Sequence, residues 1–78
     1  MNLTETINKL LYALKQKDML YKINSFQAYN EKKDKYRTVY KVYKRNPVLD
    51  KYNEVETAYS RAEIVVYLVE EWNKVKDK

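Results

Sequence analysis

The reactive groups available to this chain are amines, guanidinia, phenols, hydroxyls and carboxylates, because its 78 residues include no histidine, cysteine or glycine. Those absences exclude whole classes of chemistry. Without histidine or cysteine there is no Ser-His-Asp or Cys-His nucleophilic site, and the usual ligands of zinc are missing. Without glycine there is no phosphate-cradling loop, which needs backbone that approaches its ligand closely at positive φ. Paired carboxylates remain, and two acids can flank a sugar. A chain this short leaves little room for the enclosing cleft such a reaction needs. The expectation is a protein that is not an enzyme, has no cofactor, metal or small-molecule substrate, and acts by binding.

What remains is charge and aromatic rings. Sixteen Lys and Arg face eleven Asp and Glu, for a net charge of +5, and the excess is localised. Residues 20–53 carry nine basic groups against three acidic ones, whereas residues 54–78 carry four against six. Within the basic stretch, Arg37, Lys41 and Arg45 recur on one side of an alternating run that also holds Tyr43, with Lys32, Lys33 and Lys35 just before it. Lysine and arginine neutralise phosphates, and a phenol ring can stack on a base. That spacing makes these seven residues a candidate nucleic-acid surface. A lysine-rich, solvated sheet face has the same composition, with Glu31, Asp34, Glu54 or Glu56 neutralising part of the row. The nine tyrosines also have a plain explanation in AT-rich codons.

A second candidate lies near the C-terminus. Trp72 lies on a wide apolar helical face, Val66 and Tyr67 at its margins and Glu70 opposite it, and these four form a candidate protein interface, since aromatic anchors of this kind dominate such surfaces. In a domain this small, Trp72 is also needed for the core. Tyr67 is the better surface candidate.

The elements that must position these residues follow from periodicity. Leu3, Ile7, Leu10, Leu11 and Leu14 share one helical face over Asn2 to about Lys17, with Asn2 or Thr4 as cap. From Met19 the apolar period becomes two. Tyr21, Ile23, Phe26 and Ala28 suggest a strand with a bulge or bend near Ser25, and the polar run Asn30–Lys35 suggests a hairpin loop. Tyr36–Arg45 is the clearest strand, with Tyr36, Thr38, Tyr40 and Val42 expected on the core side and Arg37, Val39, Lys41, Tyr43 and Arg45 on the solvent side. Asn46-Pro47 ends it. Val48–Asn53 reads as a loop or a helical turn, and Glu54–Tyr59 as a short third strand. Ser60-Arg61-Ala62-Glu63 is a capping box opening a final helix to about Lys76.

One domain of α+β class is therefore predicted over residues 1–78: a three-stranded antiparallel sheet with the N- and C-terminal helices on one face. No apolar run approaches the length of a membrane span, so no membrane association is expected, and a cysteine-free chain fits a cytoplasmic home.

The run Tyr36-Arg37-Thr38-Val39-Tyr40, followed by Tyr59-Ser60-Arg61-Ala62-Glu63-Ile64-Val65-Val66-Tyr67-Leu68-Val69, resembles small phage and prophage proteins of low-GC Gram-positive bacteria. These share a hairpin followed by a capped helix of the Ser-x-x-Glu-Ile-Val-x-x-Leu type. The resemblance implies an accessory protein and assigns no site residues. The leading expectation is non-catalytic binding to a host or phage protein, as inhibitor or modulator, or self-association. The alternatives are a small basic nucleic-acid-binding protein and a minor structural or assembly protein.

Overall fold

The computed structural model describes residues 2–77 in the order α1 (Leu3–Lys15), β1 (Tyr21–Asn30), β2 (Lys35–Asn46), β3 (Lys51–Ala58) and α2 (Arg61–Val75). Each helix starts where the sequence supplies a side-chain acceptor. Asn2 Oδ1 accepts from the Glu5 N–H at 2.8 Å, and Ser60 Oγ accepts from the Glu63 N–H at 3.2 Å. The Glu63 carboxylate reaches back to the Tyr59 N–H at 2.8 Å, so the expected capping box forms with its return bond one residue upstream.

The missing glycines are replaced by aspartates. Asp18, Asp34 and Asp50 adopt the left-handed region, with φ of 62°, 52° and 51°, which Asp and Asn tolerate better than other side-chain-bearing residues. Asp34 and Asp50 close two turns of the same design. In each, an asparagine four residues earlier accepts two backbone N–H groups on its side-chain oxygen: Asn30 from Lys32 and Lys33, and Asn46 from Val48 and Leu49. Asp18 ends α1 in a Schellman arrangement. The Met19 N–H donates to the Leu14 carbonyl and the Asp18 N–H to the Lys15 carbonyl, both at 3.0 Å. Asp18→Gly is therefore expected to stabilise the fold by about 1 kcal/mol, or about 4–8 °C in Tm, in a thermal melt. Asp18→Asn, which keeps the side-chain bulk, should gain less. A lower Tm for the glycine variant would contradict this.

The sheet order is β1-β2-β3, antiparallel throughout. The bulge expected near Ser25 is absent: β1 pairs with β2 in unbroken register from Tyr21↔Lys44 to Asn30↔Lys35. The irregularity lies on the other side of β2, where Val42 faces Glu56 but Tyr43 faces Glu54, leaving Val55 as the extra residue. β3 also begins earlier than expected, at Lys51, because Asp50 turns the chain directly back into the sheet.

Both helices cover the same face. Leu14, Ile64 and Leu68 are fully or almost fully buried with Ala58 and Ile7, and Tyr21, Ile23, Tyr40, Val65, Trp72 and Val75 pack around them. The alternation of β2 places residues as predicted but does not fix their burial. Tyr36, expected in the core, is 70% exposed and packs at a tilt against Tyr29, with ring centroids 5.1 Å apart and planes 48° from parallel. Val39, expected in solvent, is only 6% exposed. A twelve-residue β2 is longer than the helical layer is wide, so its distal end projects beyond the core. Being central, β2 has a strand along each edge, and on the helix-free side the Val39 side chain is covered by its neighbours in the sheet, Phe26 directly opposite it among them. Among the described residues, no helix is long and apolar enough to cross a membrane.

Candidate functional site

The helix-free face of the sheet gathers aromatic and basic side chains. Alternation puts Lys22, Asn24, Phe26 and Ala28 of β1 there, with Arg37, Val39, Lys41 and Tyr43 of β2 and Thr57 of β3. Tyr59, just past β3, continues this side and lies under Arg37, whose guanidinium sits 4.3 Å from the ring centroid. Lys22 sits at the same distance over the Tyr52 ring. Phe26, Val39, Arg37, Lys41 and Tyr59, with Lys32 from the hairpin turn, line a shallow trough of ≈ 610 Å³. Its floor is the buried Val39, and Phe26, the direct cross-strand neighbour of Val39, is 46% exposed.

The seven basic and aromatic residues singled out from sequence do not form one row. Lys41 is held by Glu54 at 3.2 Å and by the Thr57 hydroxyl at 3.1 Å. Arg45 is paired with Asp50 at 2.7 Å. Tyr43 is half-buried between its partners Lys22 and Glu54. Lys33 and Lys35 lie round the exposed tip beside Tyr36. Arg37 and Lys32 are the two that reach the trough with no carboxylate partner among the described residues. Sequence reasoning missed Phe26, Tyr59, Lys22 and Tyr52 on this face. The unbroken β1–β2 register supplies the signal for Phe26 and Lys22, and it was obscured by the bulge expected at Ser25.

The four residues of the C-terminal candidate separate in a similar way. Val66, 58% exposed, and Glu70 lie on the outer surface of α2. Trp72 packs against the core. Tyr67 is half-buried, edge-on to Tyr21 with centroids 6.4 Å apart. A groove beside β3 joins Val66, Tyr67 and Ala62 with the carboxylates of Glu56, Glu63 and Glu70.

Behind Tyr67 lies a polar cluster centred on Glu71. The Tyr21 hydroxyl donates to Glu71 Oε1 at 3.1 Å, the Tyr67 hydroxyl to the same oxygen at 3.5 Å, and Lys74 Nζ to Oε2 at 2.7 Å. Burial by itself would raise the Glu71 carboxyl. The hydrogen bonds from Lys74 and Tyr21 and the charges of Lys74 and Lys44 outweigh it and hold the group below the usual carboxylate range. Burial, then the Glu71 charge, pushes Tyr67 from 10.0 up to about 12, and raises Tyr21 further still. A raised folded-state value means the stabilisation is fully present below the unfolded value of 10.0 and is lost as pH rises through the folded one. An ultraviolet titration should therefore show Tyr21 and Tyr67 ionising late, with Tyr29 also raised by its hydrogen bond to Asp34, and stability falling between pH 10 and 12. Replacing Glu71 with Gln should bring Tyr21 and Tyr67 closer to the ordinary phenol range. Nine tyrosines ionising together near pH 10 in the folded protein would contradict the cluster.

The cluster is half-buried, and its hydroxyls and carboxylate are engaged with one another. Among the described residues, no group of three or more acidic side chains is placed to hold a metal. No protein-family model, curated protein or solved structure matches the chain.

Proposed function

We propose that this chain is a non-catalytic binding module that takes a single-stranded nucleic acid across the helix-free face of its sheet. The observation carrying this reading is the trough. It combines an exposed Phe26 and Tyr59 on an apolar floor with an arginine that has no carboxylate partner among the described residues. Rings of this kind stack on unpaired bases irrespective of sequence, and the surrounding cations follow the phosphates. Arg37, already over the Tyr59 ring, can keep that contact while its outer N–H groups meet a phosphate. Lys32 lines the same trough, as does Glu31, and Lys22 stands farther along the same face over the Tyr52 ring.

Anisotropy of a labelled twelve-nucleotide single strand, titrated at several salt concentrations, tests the reading. Three engaged cations predict a log–log salt slope of about −2, at about −0.7 per phosphate for single strands. Duplex of the same length should bind more weakly, because its bases are not free to stack. Absence of binding up to about 100 μM at low salt, where even sequence-independent binders associate, would reject the proposal.

A second reading draws on the groove beside α2. Three carboxylates around Val66 and Tyr67 suit a basic, amphipathic protein segment, in keeping with an accessory protein that inhibits or modulates another protein. The sheet face is favoured because two of the four residues expected to meet a partner, Tyr67 and Trp72, turn largely inward.

A further inference from the structure

The two edges of the sheet are built differently. β3 carries Lys51, Glu54 and Glu56 within eight residues and is bent by the unpaired Val55. Charges and bulges are the usual protection of an edge strand against pairing with another chain. β1 has no bulge and a single charge. It runs ten residues without a bulge, proline or turn, Lys22 is its one charged residue, and six of the ten are exposed.

The direction of its free hydrogen-bonding groups follows from one contact. The Arg45 N–H donates to the Leu20 carbonyl at 2.9 Å. In an antiparallel ladder, groups directed at the partner alternate with groups directed away. The even-numbered residues of β1 therefore face β2, and the backbone groups of Tyr21, Ile23, Ser25, Gln27 and Tyr29 point outward.

We infer that two copies of this chain associate antiparallel through β1, about a two-fold axis at Ser25, to form a continuous six-stranded sheet. This register satisfies all five outward-facing residues: Tyr21 pairs with Tyr29, Ile23 with Gln27, and Ser25 with its own counterpart. Moving the axis to Phe26 would carry Tyr21 opposite Glu31 in the turn and lose a pair. No like charges meet, because Lys22 of one copy falls opposite Ala28 of the other. Directly opposed residues lie on the same side of a sheet, so the helix-free faces become continuous. Lys22 of the second copy then reaches the trough at Ala28, one of its lining residues. The dimer stands on the edge geometry alone, while its value as a longer platform rests on the nucleic-acid reading.

Light scattering and sedimentation on the free protein, without nucleic acid, test the dimer separately from that reading. The expected result is reversible, concentration-dependent doubling of the 9.5 kDa mass. Hydrogen exchange should show the amides of Tyr21, Ile23, Ser25, Gln27 and Tyr29 gaining protection as concentration rises. Ser25→Pro removes a donor that the monomer does not use and should raise the dissociation constant at least about tenfold, 1.4 kcal/mol. Ser25→Lys, which opposes two like charges at the axis, should do the same and covers the case in which the proline variant fails to fold. A monomer at every accessible concentration overturns the inference. So does a dimer indifferent to the folded variants, or one whose new protection maps to β3 or α2.

Discussion

Leu68→Ala is expected to remove about 3–4 kcal/mol of stability, the largest effect of any single truncation proposed here. Leu68 is fully buried and lies in the cluster where α2 meets α1 and the sheet, beside Ile64, Leu14 and Ala58. Truncation deletes its transfer energy and leaves a cavity bounded by three separate elements, so no single side chain can relax to fill it. A domain of this length has about 4–10 kcal/mol in total, and there is no disulfide to limit the unfolded state. Urea denaturation should show a much lower midpoint with an unchanged slope. Val66→Ala, two residues away and 58% exposed, should stay within about 0.5 kcal/mol of the parent. A loss below about 1 kcal/mol at Leu68 would mean that the helices are not seated on the sheet as described.

Combining Phe26→Ala with Arg37→Glu is expected to weaken single-strand binding about 100-fold or more, with the ring and the charge both contributing. Phe26 supplies a flat, half-exposed face over the trough, and loss of one stacking partner costs about 1–3 kcal/mol. Reversing Arg37 removes a phosphate partner and places a carboxylate beside Tyr59 in its stead. Phe26→Leu separates stacking from packing: it still covers Val39, so stability should hold, yet affinity should fall because the planar ring is gone. Lys9→Glu on α1 changes the net charge equally on the other layer and should have a much smaller effect. If Lys9→Glu weakens binding as much as Arg37→Glu, attraction is a property of the overall charge and the trough is not the site.

The order and type of all five elements were legible in the sequence, since local features set them. The five-residue apolar stripe of α1, the Asn2 and Ser60 caps and the Tyr-Val-Thr alternation of β2 each act within one or two turns of chain. The exclusion of histidine and cysteine chemistry was equally direct, being a matter of inventory. The turn chemistry was partly visible. Asn30 and Asn46 stand where turns were expected, but the role of Asp34 and Asp50 as left-handed substitutes for glycine emerges only from the backbone.

The candidate site depended on pairings between residues far apart in the chain, and periodicity does not supply these. Alternation correctly placed Val39 and Arg37 on the side away from the helices. It could not show that Phe26 lies opposite Val39, which makes Val39 a floor and Phe26 a wall. Charge counting found the basic segment but could not distinguish Arg37, over the Tyr59 ring, from Lys41 and Arg45, which β3 and its turn supply with Glu54 and Asp50. Nor could the width of the apolar face of α2 show that Tyr67 meets Tyr21 and Glu71 across the layers, leaving Val66 on the outside. The sequence by itself determined which elements form and what chemistry is absent, because caps, periods and composition act at short range. Only the tertiary structure decided which cations stay unpaired, which rings stay exposed and which edge stays open, because each depends on partners brought together by strand register and helix packing.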